Sequence, residues 1–330
     1  MTLQRRRFLS FTGAALVLPG LARAQAAAYP NRPVKIVVPF AAGGGPDILA
    51  RKLGAKLAEA FGPGASVVVE NVVGAGGILA AQNVARMAPD GYNLLFGASS
   101  HVVQKAMQPS VLFDPRKDFT HIARVATSPS VLVVAAASPY RTVADLIAAA
   151  KAAPGRLNYG SGGIGSAAHL CAAALVVHGG MDVVHVPYKG SVEIVPSIIA
   201  GDTQFAFPIA STAIAQVQGG RVRALAVSSA QRIPALPDVP TLVEALKAPE
   251  LAVDAWFGLW APAGTPAPVV DAVFKAVAKA HEDGALRKDT EAAGSLVALS
   301  ASPAEFTQFI EAETLKFEQL VKAAKLATGN

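Results

Sequence analysis

The stretch Gly160-Ser161-Gly162-Gly163-Ile164-Gly165-Ser166 follows a short apolar run and leads into a helical pattern from Ala167 to Val177. Glycine allows close backbone approach. The loop aims several N–H groups and two hydroxyls at a helix N-terminus, where the peptide dipoles favour negative charge, so it forms an anion cradle. Gly160, Gly162 and Gly165 also satisfy the spacing of a dinucleotide-binding turn, which needs an acid at the end of the next strand to hold the ribose. That strand, Val183 to Val186, ends in Pro187-Tyr188-Lys189, and Asp182 precedes it. Ser99, Ser100, His101, Ser161, Ser166 and His169 supply the nucleophile and base types of a hydrolase, yet no Gly-x-Ser-x-Gly elbow occurs. His169 follows Ser166 by three residues on one helix, a spacing that aims poorly at a catalytic triad. An exported hydrolase or a nucleotide-cofactor enzyme using this loop is the alternative to a binding site without chemistry.

Other reactive types have plainer readings. Cys171, the single cysteine, excludes an internal disulfide and a cysteine-built metal site, and on an alanine-rich face it reads as a small buried hydrophobe. His178 and His185 have no carboxylate cluster near them in sequence, so no metal ligand is expected. Asp47, in the first turn of its helix, reads as a dipole-compensating cap. Trp256 and Trp260, alternating with glycine and leucine, read as packing residues, with an aromatic lid over a ligand as the second reading. Arg51 and Lys189 read as surface charges.

The elements around these residues alternate apolar runs with amphipathic segments, the rhythm of an α/β protein with largely parallel strands. Strands are expected at Lys35 to Pro39, Ser66 to Glu70, Tyr92 to Phe96, Val131 to Ala136, Leu157 to Tyr159, Val183 to Val186, Gln204 to Phe207, Ala224 to Ser228 and Trp256 to Trp260. Helices are expected at Asp47 to Phe61, from Gly77 to near Met87, after Thr142 with Asp145 completing a capping box, at Val192 to Ala200, and at Pro268 to Asp283 and Pro303 to Ala327. Strand, glycine loop and helix follow one another three times, at Gly43 to Gly45, Gly74 to Gly77 and Gly160 to Gly165. Ligands of open α/β sheets sit beyond the carboxyl ends of the strands, so loops from two sheets facing one another make a two-domain clamp.

The N-terminus carries Arg5-Arg6-Arg7 before Phe8-Leu9, an apolar run to Leu21, and the small residues of Ala22-Arg23-Ala24. Residues 1–24 read as an export signal of twin-arginine type cleaved near Ala24, with a Sec signal as the alternative. The apolar run is too short for a comfortable membrane span of about twenty residues. Its removal takes away four arginines and no acid, lowering the formal charge from +6 to +2. The remaining basic residues are scattered, which argues against a nucleic-acid surface.

The chain resembles the tripartite tricarboxylate transporter receptors, also called Bug receptors, through an ordered set of motifs across the mature sequence. They are Tyr29-Pro30 with Ile36 to Gly44, Asp47 and Ala50-Arg51; Val69-Glu70-Asn71 with Gly74 to Gly77; Pro89-Asp90-Gly91-Tyr92; and Asp118-Phe119. The series continues with Gly160 to Ser166 and His169-Leu170, Val186 to Gly190, Leu236 to Thr241 with Glu244, and Ala261 to Pro266. The resemblance implies a periplasmic-binding-protein-like Venus flytrap, two α/β domains joined by hinge strands, that captures a small carboxylate (a di-/tricarboxylate or an aromatic carboxylate). It delivers the ligand to a membrane permease, acts as a monomer, and uses no cofactor. Lobe 1 is expected at 29–127 plus 250–330 and lobe 2 at 128–249. The expected ligand-binding residues are Phe40, Ala41, Ala42, Gly43, Gly44, Asp47, Ser99, Ser100, His101 and Ser128 with Gly160, Ser161, Gly162, Gly165, Ser166, Ala167, His169 and Phe207. None is expected to be catalytic. Three positions depart from the family pattern: Pro46 replaces a hydroxyl residue, Gln104-Lys105 replaces Asn-Pro, and Pro208 stands where an acid is frequent. If position 208 faces the cleft, the missing acid points to a ligand without an ammonium group.

Overall fold

The computed structural model describes residues 29–108, 110–188 and 193–326. The first sheet begins with β1 (Val34–Val38), an almost wholly buried apolar strand that pairs in parallel with β2 (Val67–Asn71) and β3 (Asn93–Ala98). Between them α1 (Gly45–Phe61) starts with Pro46 in its first turn, where the missing N–H has no partner to lose. It buries Ala50, Leu53, Gly54 and Leu57, one helical face. A 3-10 turn at Ala75–Gly77 leads into α2 (Ile78–Ala85), and α3 (Ser99–Met107) follows β3 directly. The long strand β4 (Phe119–Ser128) then carries the chain across to the second sheet.

That sheet contains β5 (Val131–Ala135), β6 (Asn158–Ser161), β7 (Val184–Pro187), β8 (Phe205–Ala206) and β9 (Val222–Val227), in the order β7-β6-β8-β5-β9. Its helices are α4 (Val143–Ala152), α5 (Ala167–Gly179), α6 (Ile194–Ala200), α7 (Ala210–Gln218) and α8 (Leu242–Leu246). The capping box at the start of α4 forms as expected: Asp145 N donates to Thr142 Oγ1, and Thr142 N to Asp145 Oδ2. The chain returns through β10 (Ala255–Pro262), α9 (Ala267–Ala280), α10 (Ala285–Ala292), β11 (Leu296–Val297) and α11 (Pro303–Ala323), giving the first sheet the order β11-β4-β10-β3-β1-β2.

The expectation of largely parallel strands fails at the returning segments. β10 comes back from the second sheet and inserts between β3 and β4, antiparallel to both, and β5 is antiparallel to β8 and β9. The C-terminal part holds more than the two expected helices, because α10 and β11 lie between them. α10 buries only Leu286 and Thr290, too weak an apolar stripe to read from sequence.

Every residue of β10 is buried. Trp256 and Trp260 pack beneath α11 beside Phe306, and Trp256 Nε1 donates to Glu313 Oε2 at 2.8 Å. Both are buried packing residues, and neither is an exposed aromatic that could cover a ligand. Phe257 and Leu259 belong to the opposite layer with α1 and α9. The two passages between sheets are tied together: Ser130 N donates to Ser228 Oγ at 2.9 Å, and that hydroxyl donates to Asp254 Oδ1 at 2.6 Å. At the back, α11 packs on α3 and β4 of the first sheet and on α5 of the second. At the front, two glycines let the first half approach the start of α7 closely. A Cβ on Gly45 would lie 3.4 Å from Ser211 Oγ, and one on Gly294 3.0 Å from Ser211 N.

Gly258 marks a tight point of the first core, since a Cβ there would lie 2.7 Å from Ala123 O and run into the Phe306 ring. Gly258→Ala is expected to lower stability by about 1–3 kcal/mol through overpacking. A denaturant midpoint equal to that of the wild type would refute this packing account.

Candidate functional site

Five strand-to-helix junctions, β1 to α1, β2 to α2, β3 to α3, β6 to α5 and β8 to α7, open onto one cleft of about 1080 Å³ between the two sheets. The first wall is the loop after β1, with Phe40, Ala41, Ala42, Gly43 and Gly44. Asp47 holds it in shape from behind. Its carboxylate is 1% exposed, accepts from Gly43 N (2.8 Å), Asn71 Nδ2 (2.8 Å) and Arg51 Nε (3.0 Å), and leaves Asn71 Nδ2 also directed at Phe40 O (2.9 Å). Burial alone would raise the Asp47 pKa. The hydrogen bonds from Arg51, Gly43 and Asn71 and the Arg51 charge outweigh it and keep the group below the usual carboxylate range. Gly43 sits at φ +79°, a left-handed conformation suited to glycine. Arg51, expected as a surface charge, is thus part of the brace.

The second wall is the loop after β6. Gly162, Gly165, Ser166 and Ala167 line the cleft. Ser166 caps α5, its Oγ accepting from His169 N at 3.3 Å, while His169 Nδ1 accepts from Gly165 N at 3.1 Å. Helix geometry leaves the amides of Ala167 and Ala168 without intrahelical acceptors, and both residues face the cleft. Below the loop, His169 and His185 stack at 4.1 Å between ring centroids, with Tyr159 stacked on His185 at 4.7 Å. Ser161 Oγ accepts from Gly163 N at 3.2 Å and meets His185 Nε2 at 2.7 Å. Burial, with His185 adding to it, pushes His169 down to about 4, and burial lowers His185 as well. Both imidazoles are neutral at neutral pH.

Ser99, Ser100 and Ser128 complete the expected lining, and Ser100 Oγ is buried without a hydrogen-bond partner. Six of the residues expected at the site stand outside the wall. Asp47, His169 and Ser161 act from behind it as described, and Gly160 lies within β6 against Tyr188, Ser197 and Thr203. His101 is wholly buried, takes a hydrogen bond from Ala98 N at 2.9 Å through Nδ1, and burial holds it down at about 4. Phe207 is fully buried in the core of the second sheet. Pro208 is buried too and does not reach the cleft. Its carbonyl accepts from Val131 N at 2.9 Å, so the ligand argument built on that position lapses. Lys189 and the export signal lie outside the described residues.

Sequence reasoning missed the N-terminus of α7 with Ser211 and Thr212, the Gly76-Gly77 turn as a wall, Gln104, and Lys52, Asp289 and Ser295. The first was readable as a further strand-to-helix junction after Phe207. Gln104, in place of the family's asparagine, donates through Nε2 to Gly76 O and so ties α3 to that turn. Among the described residues no His, Cys, Asp or Glu cluster could hold a metal ion, and no helix is long and apolar enough to cross a membrane.

Each helix N-terminus carries about half a positive elementary charge. The charged side chains lining the cleft, Lys52 and Asp289, pair with each other at 2.9 Å. The attraction for an anion therefore comes from backbone, hydroxyls and dipoles. Fold and cleft together define a two-lobed α/β solute-binding protein of the Venus-flytrap type. The family model of the tripartite tricarboxylate transporter family receptor matches residues 49–326, and the chain belongs to that family. It is similar to the UPF0065 protein in the tcbD-tcbE intergenic region of Pseudomonas sp. (strain P51), 34% identical over 322 residues, covering 98% of this chain and 95% of that protein. Among solved structures it is similar to R. palustris Rpa4515 with adipate, at TM-score 0.80 and 32% identity over 90% of this chain and 98% of the other. It is also similar to MatC (Rpa3494) from Rhodopseudomonas palustris with bound malate, at TM-score 0.78 and 31% identity over 89% of this chain and all of the other.

The Asp47 brace has a pH signature. Because the folded-state pKa lies below the unfolded value, its stabilisation is complete above about pH 4–5 and is lost as the pH falls through the folded pKa. Asp47→Asn is expected to cost about 2 kcal/mol at pH 7, the scale of a charged hydrogen bond. That difference should begin to shrink as the pH falls below about 4, where the unfolded carboxyl takes up its proton, and should disappear only below the lowered folded-state pKa. Urea unfolding of both at pH 7 and pH 3 checks this, and an undiminished difference at pH 3 would show that charge is not the cause.

Proposed function

We propose that this protein is a periplasmic receptor that holds a small carboxylate between its lobes, without a chemical step, and presents it to a membrane permease of the tripartite tricarboxylate type. The observation that carries the reading is the convergence of five helix N-termini on a cleft whose lining charged side chains neutralise each other. A carboxylate there is held by charge-assisted hydrogen bonds, roughly twice as strong as neutral ones. The structural relatives named above carry adipate and malate. In this reading the ligand contacts are Phe40 to Gly44 and Ser99, Ser100 and Ser128 from one side, and Gly162, Gly165, Ser166 and Ala167 from the other. Asp47, Ser161 and His169 position the two loops. The lobes are 29–127 plus 250–330 and 128–249, hinged at the Ser130, Ser228 and Asp254 clasp. A ligand touching both lobes favours the closed state, which the permease reads. The protein acts as a monomer, and residues 1–24 direct it to the periplasm.

The hydrolase alternative has little support at Ser166, because its hydroxyl is engaged as a helix cap and the acceptor nitrogen of His169 is taken by Gly165 N. For the nucleotide alternative, β7 ends at Pro187 without an acid.

A thermal-shift screen of mono-, di- and tricarboxylates tests the proposal. At a hundred times Kd a ligand adds about 2.7 kcal/mol, and a shift of several degrees is expected. Stabilisation by a nucleotide and by none of the carboxylates would defeat it. Ser166→Val, with a donor and a cap removed, is expected to weaken the best ligand about tenfold by isothermal titration calorimetry, and unchanged affinity would remove Ser166 from the contact set.

A further inference from the structure

The charge inventory of the cleft says which carboxylates it accepts. An α-amino acid brings a carboxylate together with an ammonium, and a desolvated ammonium needs an anionic partner. Two acids lie near the cleft, one behind its wall and one in it. The first, Asp47, is 1% exposed, and its oxygens are already bound to Gly43, Asn71 and Arg51. The second, Asp289 in the middle of α10, lines the cleft with a side chain 52% exposed, but its Oδ2 lies 2.9 Å from Nζ of Lys52 on α1, itself 43% exposed and lining the same cleft. Lys52 thus cancels the single accessible carboxylate, and the helix N-termini around the cleft repel a cation. The rest of a ligand meets carbon: Ile48, Val73 and Ile164 line the cleft and stay 43%, 55% and 53% exposed, with Ile164 on the lobe opposite the other two.

We propose that the cleft selects carboxylates whose carbon skeleton bears no ammonium group, and that the Lys52–Asp289 ion pair is the specificity-determining element. The inference rests on the carboxylate reading above. Without Lys52, Asp289 is free to receive an ammonium, so the pair works as a mask over a counter-ion that the fold already supplies.

Titration calorimetry with three pairs of diacids differing only by an α-amino group tests this: succinate and aspartate, glutarate and glutamate, adipate and 2-aminoadipate. Wherever the diacid binds, its amino partner is expected to bind at least about tenfold more weakly, the order of discrimination produced by one unpaired polar group. Lys52→Met is expected to narrow that gap to about threefold or less, and adding Asp289→Asn to it should restore the gap. Exposed ion pairs contribute little to stability, so both variants should fold, which their melting curves check. Amino and amino-free partners of equal affinity, or a gap that Lys52→Met leaves unchanged, would overturn the inference while leaving the receptor reading intact. Where none of the six binds, the same comparison is made with the best carboxylate of the thermal-shift screen and its α-amino analogue, and absence of any carboxylate ligand would instead overturn the reading on which it stands.

Discussion

The amides at the start of an α-helix have no acceptor within the helix, and their dipoles add to a local positive potential. In this protein five helices direct that end at one space, and α1, α3, α5 and α7 follow their strands with only short loops. Such an arrangement is unfavourable in itself, since like potentials face one another and the amides need partners. It persists because each helix is anchored at its other surface: α1 through Leu53 and Leu57 on the first sheet, α5 through Leu170 and Leu175 in the second core. The cleft is the part of the fold that packing leaves electrostatically incomplete, and a bound anion completes it.

Holding such a site requires loops that do not sag toward the missing partner. The structure uses buried groups for this. Asp47, ionised despite its burial, gathers Gly43, Asn71 and Arg51 around the first loop. Neutral, stacked histidines do the corresponding work for the second. The contrast follows from location. The first brace can afford a charge because Arg51 reaches it, with its side chain 49% exposed, whereas the second lies between aromatic rings where a charge would have no partner.

Much of this was legible in the chain. The glycine loops at 43–45 and 160–165, the strands leading into them, the capping box at Thr142 and the Pro303 start of the last helix follow from local chemistry, and local chemistry acts over a few residues. The direction of β10 was not legible, because a strand reads the same whether it enters a sheet parallel or antiparallel. β4 escaped notice because Thr120, His121, Arg124 and Thr127 interrupt its apolar residues, although it is mostly buried. Residue types suggested Asp47, His101, Ser161 and His169 for the ligand, but burial decides which polar groups touch solvent and which hold up the ones that do. The pairing of Lys52 with Asp289 joins residues far apart in sequence, and no pattern in either segment announces it.

The helix α11 touches both halves of the molecule, resting on α3 and β4 and, across the back, on α5. Near its C-terminal end a pocket opens beside α5, lined by Ala323, Ala324, Lys325 and Leu326 on one side and by Ala173, Val176 and Val177 on the other. A surface of low ridges lets packed helices slide by small steps, whereas interlocked large side chains would resist it. Any change in the angle between the two sheets has to be taken up where α11 meets α5 as well as in the strands that cross between them.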